Sequence, residues 1–336
     1  MEHSTSAAAE EDAFVRRFRA DPRVDDGMLS FADFMDLALY DAEVGYYRGG
    51  RERIGRTGGA DFYTSSSLTE VFGPLVVAAA ESLLGAARAG DCEFIEIGAE
   101  PGRGVLDGVS HRFRCTRTVC VGEPISLHGD LVVFSNELFD AQPFHRVVYR
   151  DGAWREMGVR LEGPKLTWAK LKSWSPETTA RRARLPTPAA EGHIIDLPLR
   201  AEKLARDLAA QPWRGLFLAF DYGRTWSQIA TEFPAGTGRA YAAHRQTDDL
   251  LANPGAQDLT CHVCWDWLEE TLRDHGFESV TRESQEAFFL RRAIDAVQRI
   301  VADDPNPLSR GRTQLKHLLH PALMGQRFEA LWALRR

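Results

Sequence analysis

Three short polar clusters in this chain each follow an apolar run, and their residue types suit the capture of a small charged ligand. They are Glu96 to Gly104 within FIEIGAEPGRGVL, Ser135 to Asp140 after DLVVF, and Asp221 to Gly223 after GLFLAF. Closely spaced glycines let backbone amides approach a ligand, whereas carboxylates and an asparagine can hold a cation or guide a proton. A separate CxxC pair, Cys261 and Cys264, is open to two other readings. It could be redox-active, or it could join Cys115 and Cys120 around zinc, although the spacing of the cysteines is irregular.

Such clusters need strands to carry them. Each apolar run starts and ends in polar residues, the grammar of parallel strands buried on both faces, so an α/β architecture follows. Ligands bind beyond the carboxyl ends of these strands, and the three clusters should therefore face one crevice. The segment FADFMDLALYDAEVGYY has helical spacing up to a break at Gly45, and the apolar stretch through ESLLGAAR is helical as well. Between the second and third strands, HRVVYRDGAWREMGVRLEGPKLTWAKLKSW alternates around Asp151-Gly152 and Glu162-Gly163-Pro164, the pattern of an antiparallel insertion. A Pro- and Arg-rich linker and the helix RAEKLARDLAAQ follow, and the last third is helical in LEETLRDHG and AFFLRRAIDAVQRIVADD, with an apolar-rich tail. We divide the chain into a helical region packing on the core (1–90), a first core part (91–144), the antiparallel insertion and linker (145–190), and the remaining core with its late helices (191–336).

The chain has 336 residues, enough for a sizeable core, and a net charge of −7 with acids and bases mixed, which speaks against nucleic acid as a partner. It has no apolar run of about 18 residues that would span a bilayer. The first residues read as neither a secretory signal nor a transit peptide. Five cysteines, an odd count at irregular spacing, fit reduced thiols and a cytoplasmic location.

A series of blocks, in order, resembles the MidA-like family of class I S-adenosylmethionine-dependent methyltransferases: FMDLALYDAEVGYY, GGADFYTSSSLTEVFG, EIGAEPGRG, SNELFDAQP, FDYG, GTGRAYAAHR, PGAQDLTCHV and HPALMGQRFEAL. Mitochondrial members of that family methylate an arginine on a respiratory complex I subunit. The resemblance implies a Rossmann-like class I methyltransferase sheet with an antiparallel β insertion and additional helices. It also implies S-adenosylmethionine as cofactor and a protein substrate, such as a complex I subunit or analogue. Glu96, Gly98, Gly102 and Gly104 match the family's glycine turn, with Ala99 and Glu100 inserted ahead of Pro101. Asp61, Thr64 and Ser65 match a further cofactor-contacting segment, in which Ser66 and Ser67 replace a proline and an acid.

The family carries a helix, a strand and long loops between the glycine turn and the NELFDA strand, and here only about thirty residues remain. TVCVGE can supply the second strand, with Glu123 placed to bind the ribose, but the stretch to the next strand is too short for a crossover helix. The sheet should therefore be shortened on that side. On the acceptor side, Asn136, Glu137 and Asp140 could hold a guanidinium, with capping of a following helix as the bland alternative. Asp221 and His244 complete the candidate catalytic set, and Tyr222, Arg239 and Tyr241 fall in matched blocks. Two functions follow: a protein arginine methyltransferase, or a catalytically silent relative that binds a partner protein without cofactor.

Overall fold

The computed structural model describes residues 12–48, 69–242, 245–303 and 306–336. Along the chain run α1 (Ala13–Ala20), β1 (Met28–Ser30), α2 (Phe31–Tyr40), α3 (Thr69–Leu84), α4 (Ala86–Ala89), β2 (Glu93–Ala99), β3 (Cys115–Cys120) and β4 (Gly129–Asn136). The antiparallel strands β5 (His145–Arg150), β6 (Ala153–Glu162) and β7 (Lys165–Lys170) come next, then α5 (Pro176–Thr179), β8 (Ile194–Leu197), α6 (Leu199–Ala209) and β9 (Trp213–Asp221). Short pieces follow: β10 (Gly223–Arg224), α7 (Trp226–Thr231), β11 (Arg239–Ala242), β12 (Arg245–Thr247), β13 (Asp258–Thr260) and β14 (Val263–Cys264). The chain continues through α8 (Trp265–Asp274), β15 (Glu278–Ser284), α9 (Gln285–Arg292), α10 (Ile294–Asp303), α11 (Arg310–Leu319) and β16 (Glu329–Arg335).

The main sheet has six strands in the order β15-β16-β9-β4-β2-β3. Strands β3, β2, β4 and β9 are parallel, and β16 runs antiparallel to both β9 and β15. Phe94, Phe134, Phe220 and Trp332 face one layer, where they pack with Phe72 of α3 and Phe288 and Phe289 of α9. Ile95, Val133, Phe217 and Leu331 face the other, against Ala205 of α6 and Leu268 of α8. Burial on both faces is why the central strands read as unbroken apolar runs.

The sheet is shortened where the sequence indicated. Neither the link from β2 to β3 nor the eight residues 121–128 between β3 and β4 contain a helix, and β3 forms the sheet edge. A coil suffices because it steps over a single strand, β2, and is pinned by the Leu127 amide donating to Gln211 Oε1 at 2.8 Å.

The predicted insertion is present and larger than its expected bounds. β5, β6 and β7 turn at Asp151-Gly152, both at positive φ, and at Gly163, while β8 pairs with β5 and β1 pairs with β6. Helix α2 stops at Tyr40, earlier than Gly45, because the Asp41 carboxylate accepts from the amides of Glu43 and Val44 and turns the chain. Helix α8 begins at Trp265 with Cys264 at its N-cap position. Asp266 instead accepts from the Trp226 amide at 2.7 Å and so caps α7.

Candidate active site

The carboxyl ends of β2, β4 and β9 lie side by side: Ile97 pairs with Ser135, Ser135 with Ala219, and Asn136 with Phe220. A cavity of about 710 Å³ opens beyond them, within the range of small-molecule sites. Residues from all three tips and from the β11 and β13 strands line it.

At the β2 tip, Glu96 is 9% exposed and its Oε2 accepts from the Val105 amide at 2.6 Å. Burial pushes its carboxyl up to about 7, and the neighbouring Asp107 charge adds to the rise. Gly98 sits at φ +82°, and a Cβ there would come within 2.8 Å of Leu138 Cδ1, so glycine is needed for two reasons. Ala99, one of the two extra residues, extends the strand and pairs with Cys120 across a register shift, and Glu100 closes the turn by accepting from the Arg103 amide. The Gly104 amide donates to Asp107 Oδ2 at 2.7 Å. The turn thus satisfies the amides of Arg103, Gly104 and Val105 itself, whereas the sequence suggests amides left for a ligand.

The β4 tip carries the acceptor-side residues. Glu137 adopts a left-handed backbone, φ +52°, and its amide donates to the Phe220 carbonyl. Its Oε1 accepts from Asn136 Nδ2 at 3.0 Å. Asp221 is fully buried at the end of β9, and its Oδ2 accepts from the amides of Phe139 and Asp140 while Oδ1 accepts from that of Tyr222. Burial, then the charge of Asp140, holds its carboxyl well above the usual range. Asp221 therefore builds the turn that presents Asp140 and does not itself line the cavity, which corrects its expected catalytic role.

Asp140 is 3% exposed and does line the cavity. Burial raises its carboxyl to about 6, against the lowering influence of the Tyr222 hydroxyl. Its Oδ1, with Asn136 Oδ1 and His262 Nδ1, is buried without a hydrogen-bond partner among the described residues. Unpaired buried polar atoms are costly, and all three belong to residues that line this one cavity.

Other sequence-derived candidates fall differently. Glu96, Gly98, Gly104, Asn136, Glu137 and Asp140 come together on the cavity. Gly102 lies on the exposed side of the turn and off the cavity. Glu123 is exposed, and its Oε2 accepts from the Cys120 amide at 2.7 Å. One oxygen of its carboxylate thus closes the β3 turn, and Glu123 is not among the residues that line the cavity. Asp61, Thr64, Ser65 and His244 lie outside the described residues.

Of a ring of tyrosines and their partners, the sequence singles out Tyr222 and gives no role to Tyr40, Tyr47, Asp258 or Thr260. Tyr47 donates to Asp258 Oδ1 at 2.8 Å, Tyr222 to Thr260 Oγ1 at 2.9 Å, and Tyr40 to the Ala141 carbonyl at 2.9 Å, and all of these residues line the cavity. Their only signal in the sequence is that they fall within matched blocks. The CxxC pair has no such role: Cys261 and Cys264 are buried in separate apolar clusters, and burial raises both thiols. Among the described residues no group of three or more His, Cys, Asp or Glu is placed to hold a metal.

The strand order, the antiparallel β16 and the cleft at the strand tips define a class I methyltransferase fold. A family model described as "Putative S-adenosyl-L-methionine-dependent methyltransferase" matches residues 121–281. The chain is similar to the protein arginine methyltransferase NDUFAF7, mitochondrial, of Danio rerio, at 24% identity over 90% of this chain and 82% of the relative. It is 23% identical to the Drosophila melanogaster homologue over 98% of this chain and 86% of that one. A crystal structure of a COG1565 superfamily member from Burkholderia thailandensis bound to S-adenosyl-homocysteine superposes with a TM-score of 0.85 at 24% identity, covering 96% of this chain and 92% of that one. The chain is thus similar to S-adenosylmethionine-dependent methyltransferases and shares the class I fold.

Proposed function

We propose that the chain is a protein arginine methyltransferase that uses S-adenosylmethionine. The observation that carries this reading is the buried Asp140 carboxylate at a cavity shared by three strand tips. An arginine acceptor is a permanent cation with a pKa above about 12. It needs a carboxylate to orient it and to receive a proton.

The cavity fits the cofactor's amino-acid end. Glu96, Gly98 and Ala99 wall that side, Asn136 offers an unpaired acceptor, and the Cys120–Val121 edge lies where the nucleoside would run. When bound, S-adenosylmethionine supplies a methyl group activated for displacement. This chain's residues do the rest. Asp140 and Glu137 grip the guanidinium and fix one nitrogen for in-line attack, and the tyrosine ring limits access of water. As that nitrogen gains its methyl carbon it gives up a proton, which Asp140 Oδ1 takes. A carboxyl raised toward neutrality is a better base than one at its ordinary value.

The silent-relative reading draws on two features: the glycine turn's self-satisfied amides and the diversion of Glu123. Isothermal titration separates the two. Micromolar binding of S-adenosylmethionine or its demethylated product supports the enzyme, and no heat from either supports the silent relative. For the acceptor side, Asp140→Asn should cut methyl incorporation by about a hundredfold or more with product binding retained; unchanged turnover would remove Asp140 from the reaction.

A subunit of respiratory complex I, or an analogue, is the acceptor that the resemblance suggests. A cytoplasmic location rests on cysteine usage alone, while the relatives named above are mitochondrial. Among the described residues no helix is long and apolar enough to cross a membrane.

A further inference from the structure

The cavity is not uniformly acidic. On the side away from β2, at the end of β9 and along β11, Arg224, Arg239, Arg327 and His262 join the lining. Arg224 and His262 are joined through an aromatic ring. Arg224 lies 5.8 Å from the Phe233 ring, Phe233 packs edge-on to His262 at 5.1 Å, and His262 packs edge-on to Tyr222 at 6.0 Å. Burial, and then the charges of Arg224 and Arg239, lower the pKa of His262 to about 4 and keep the ring neutral.

These cations are poorly compensated. Among the described residues Arg224 donates to its neighbour's carbonyl alone, that of Gly223, and no carboxylate pairs with Arg224 or Arg327. Arg239 lies 3.4 Å from Asp248, whose side chain is 84% exposed, so solvent screens that pair. His262 Nδ1 is buried without a partner beside them. Two guanidinium groups, each with donors to spare, and an imidazole nitrogen in want of a bond suit a carboxylate. Tyr222 and Tyr241 stand between this wall and the acidic one: the charge of Asp140 acts on both, and that of Arg239 on Tyr241.

We infer that Arg224, Arg239 and His262 form a carboxylate subsite that reads an acidic residue close in sequence to the acceptor arginine. The inference rests on the methyltransferase reading for the arginine, and on the cavity alone for the acid. The cofactor also carries a carboxylate. Titrating S-adenosylhomocysteine separately distinguishes that group from a peptide acid.

The test uses the whole protein and blocked peptides containing one arginine flanked by either glutamate or glutamine. Binding is measured by titration calorimetry in the wild type, Arg224→Gln and Arg239→Gln, with S-adenosylhomocysteine titrated separately and melting curves recorded to confirm folding. The expected result is a preference of about tenfold for the glutamate peptide that each variant abolishes, with cofactor-product affinity unchanged. Equal binding of the two peptides by the wild type overturns the inference. So does loss of affinity for S-adenosylhomocysteine alone, which assigns the wall to the cofactor. A glutamate preference in a protein that binds no S-adenosylhomocysteine keeps the subsite while the methyltransferase reading fails.

Discussion

Glu96 offers a sharp test of how the site is built, because its carboxylate is buried and, among the described residues, is held by a single amide, that of Val105, with no cation beside it. Its pKa rises from the ordinary 4.5 to about 7, burial being the main cause. In the unfolded chain the group ionises near 4.5, so between that value and about 7 the folded protein holds a proton that the unfolded chain has lost. Stability must then fall as pH rises through this window and level off above it. At about 1.4 kcal/mol per tenfold change in proton affinity, the whole loss is about 3 kcal/mol. Glu96→Gln cannot ionise and keeps an oxygen for the Val105 amide.

Urea denaturation from pH 4.5 to 8.5, on wild type and variant side by side, isolates this group from the other titrating acids. The difference in unfolding free energy should grow with pH, in favour of the variant, to about 3 kcal/mol at pH 8. Parallel curves would refute the argument, since they would mean that Glu96 ionises alike in the folded and unfolded chain. The same raised pKa predicts that a sulfonium cation binds more tightly as pH rises through 7 and its uncharged thioether product does not, as titrations of the two ligands across that range would show.

Gly98→Ala should cost about 2 kcal/mol in denaturant melts, because the left-handed backbone disfavours a side chain and Leu138 occupies the space. Asp221→Ala leaves three buried amides without an acceptor and should lower stability by about 3 kcal/mol or more in the same melts, whereas Asp140→Asn should leave stability nearly unchanged. Asp196→Ala strands the buried Arg146 guanidinium and the amides of Thr237 and Gly238, with an expected loss of about 3–5 kcal/mol and a collapse of the β5–β8 pairing visible by hydrogen exchange.

The central strands were legible in the sequence because burial on both faces leaves an apolar run that no helix of that length explains. The alternating strands of the insertion were legible too, but some others were not. β15, ESVTRES, is half-exposed along its length and carries charges that hide it, and β8, IIDL, contains Asp196 because Arg146 meets it there. β16 reads only as part of an apolar-rich tail until its pairing with β9 is seen. In the site, residues at strand tips could be placed because a tip has one direction to face. The pairing of Tyr47 with Asp258, 211 residues apart, leaves no local trace. Glu123 was misplaced for a physical reason: with no helix to follow, the β3 turn has to be closed by its own nearest carboxylate.

Strand β9 has one flank sealed by β4 and the other by β16, whose Glu329 meets Asp221 from about 110 residues further along. While the ribosome makes that stretch, the ribbon WRGLFLAFD keeps a bare row of amides and carbonyls beside some of the most apolar side chains in the protein. Closure of the sheet is therefore a late event in the life of each molecule, slowed by the long loop to be drawn in. A newly made chain passes through an adhesive stage, one that holdase chaperones are suited to shield until the final strand slides home.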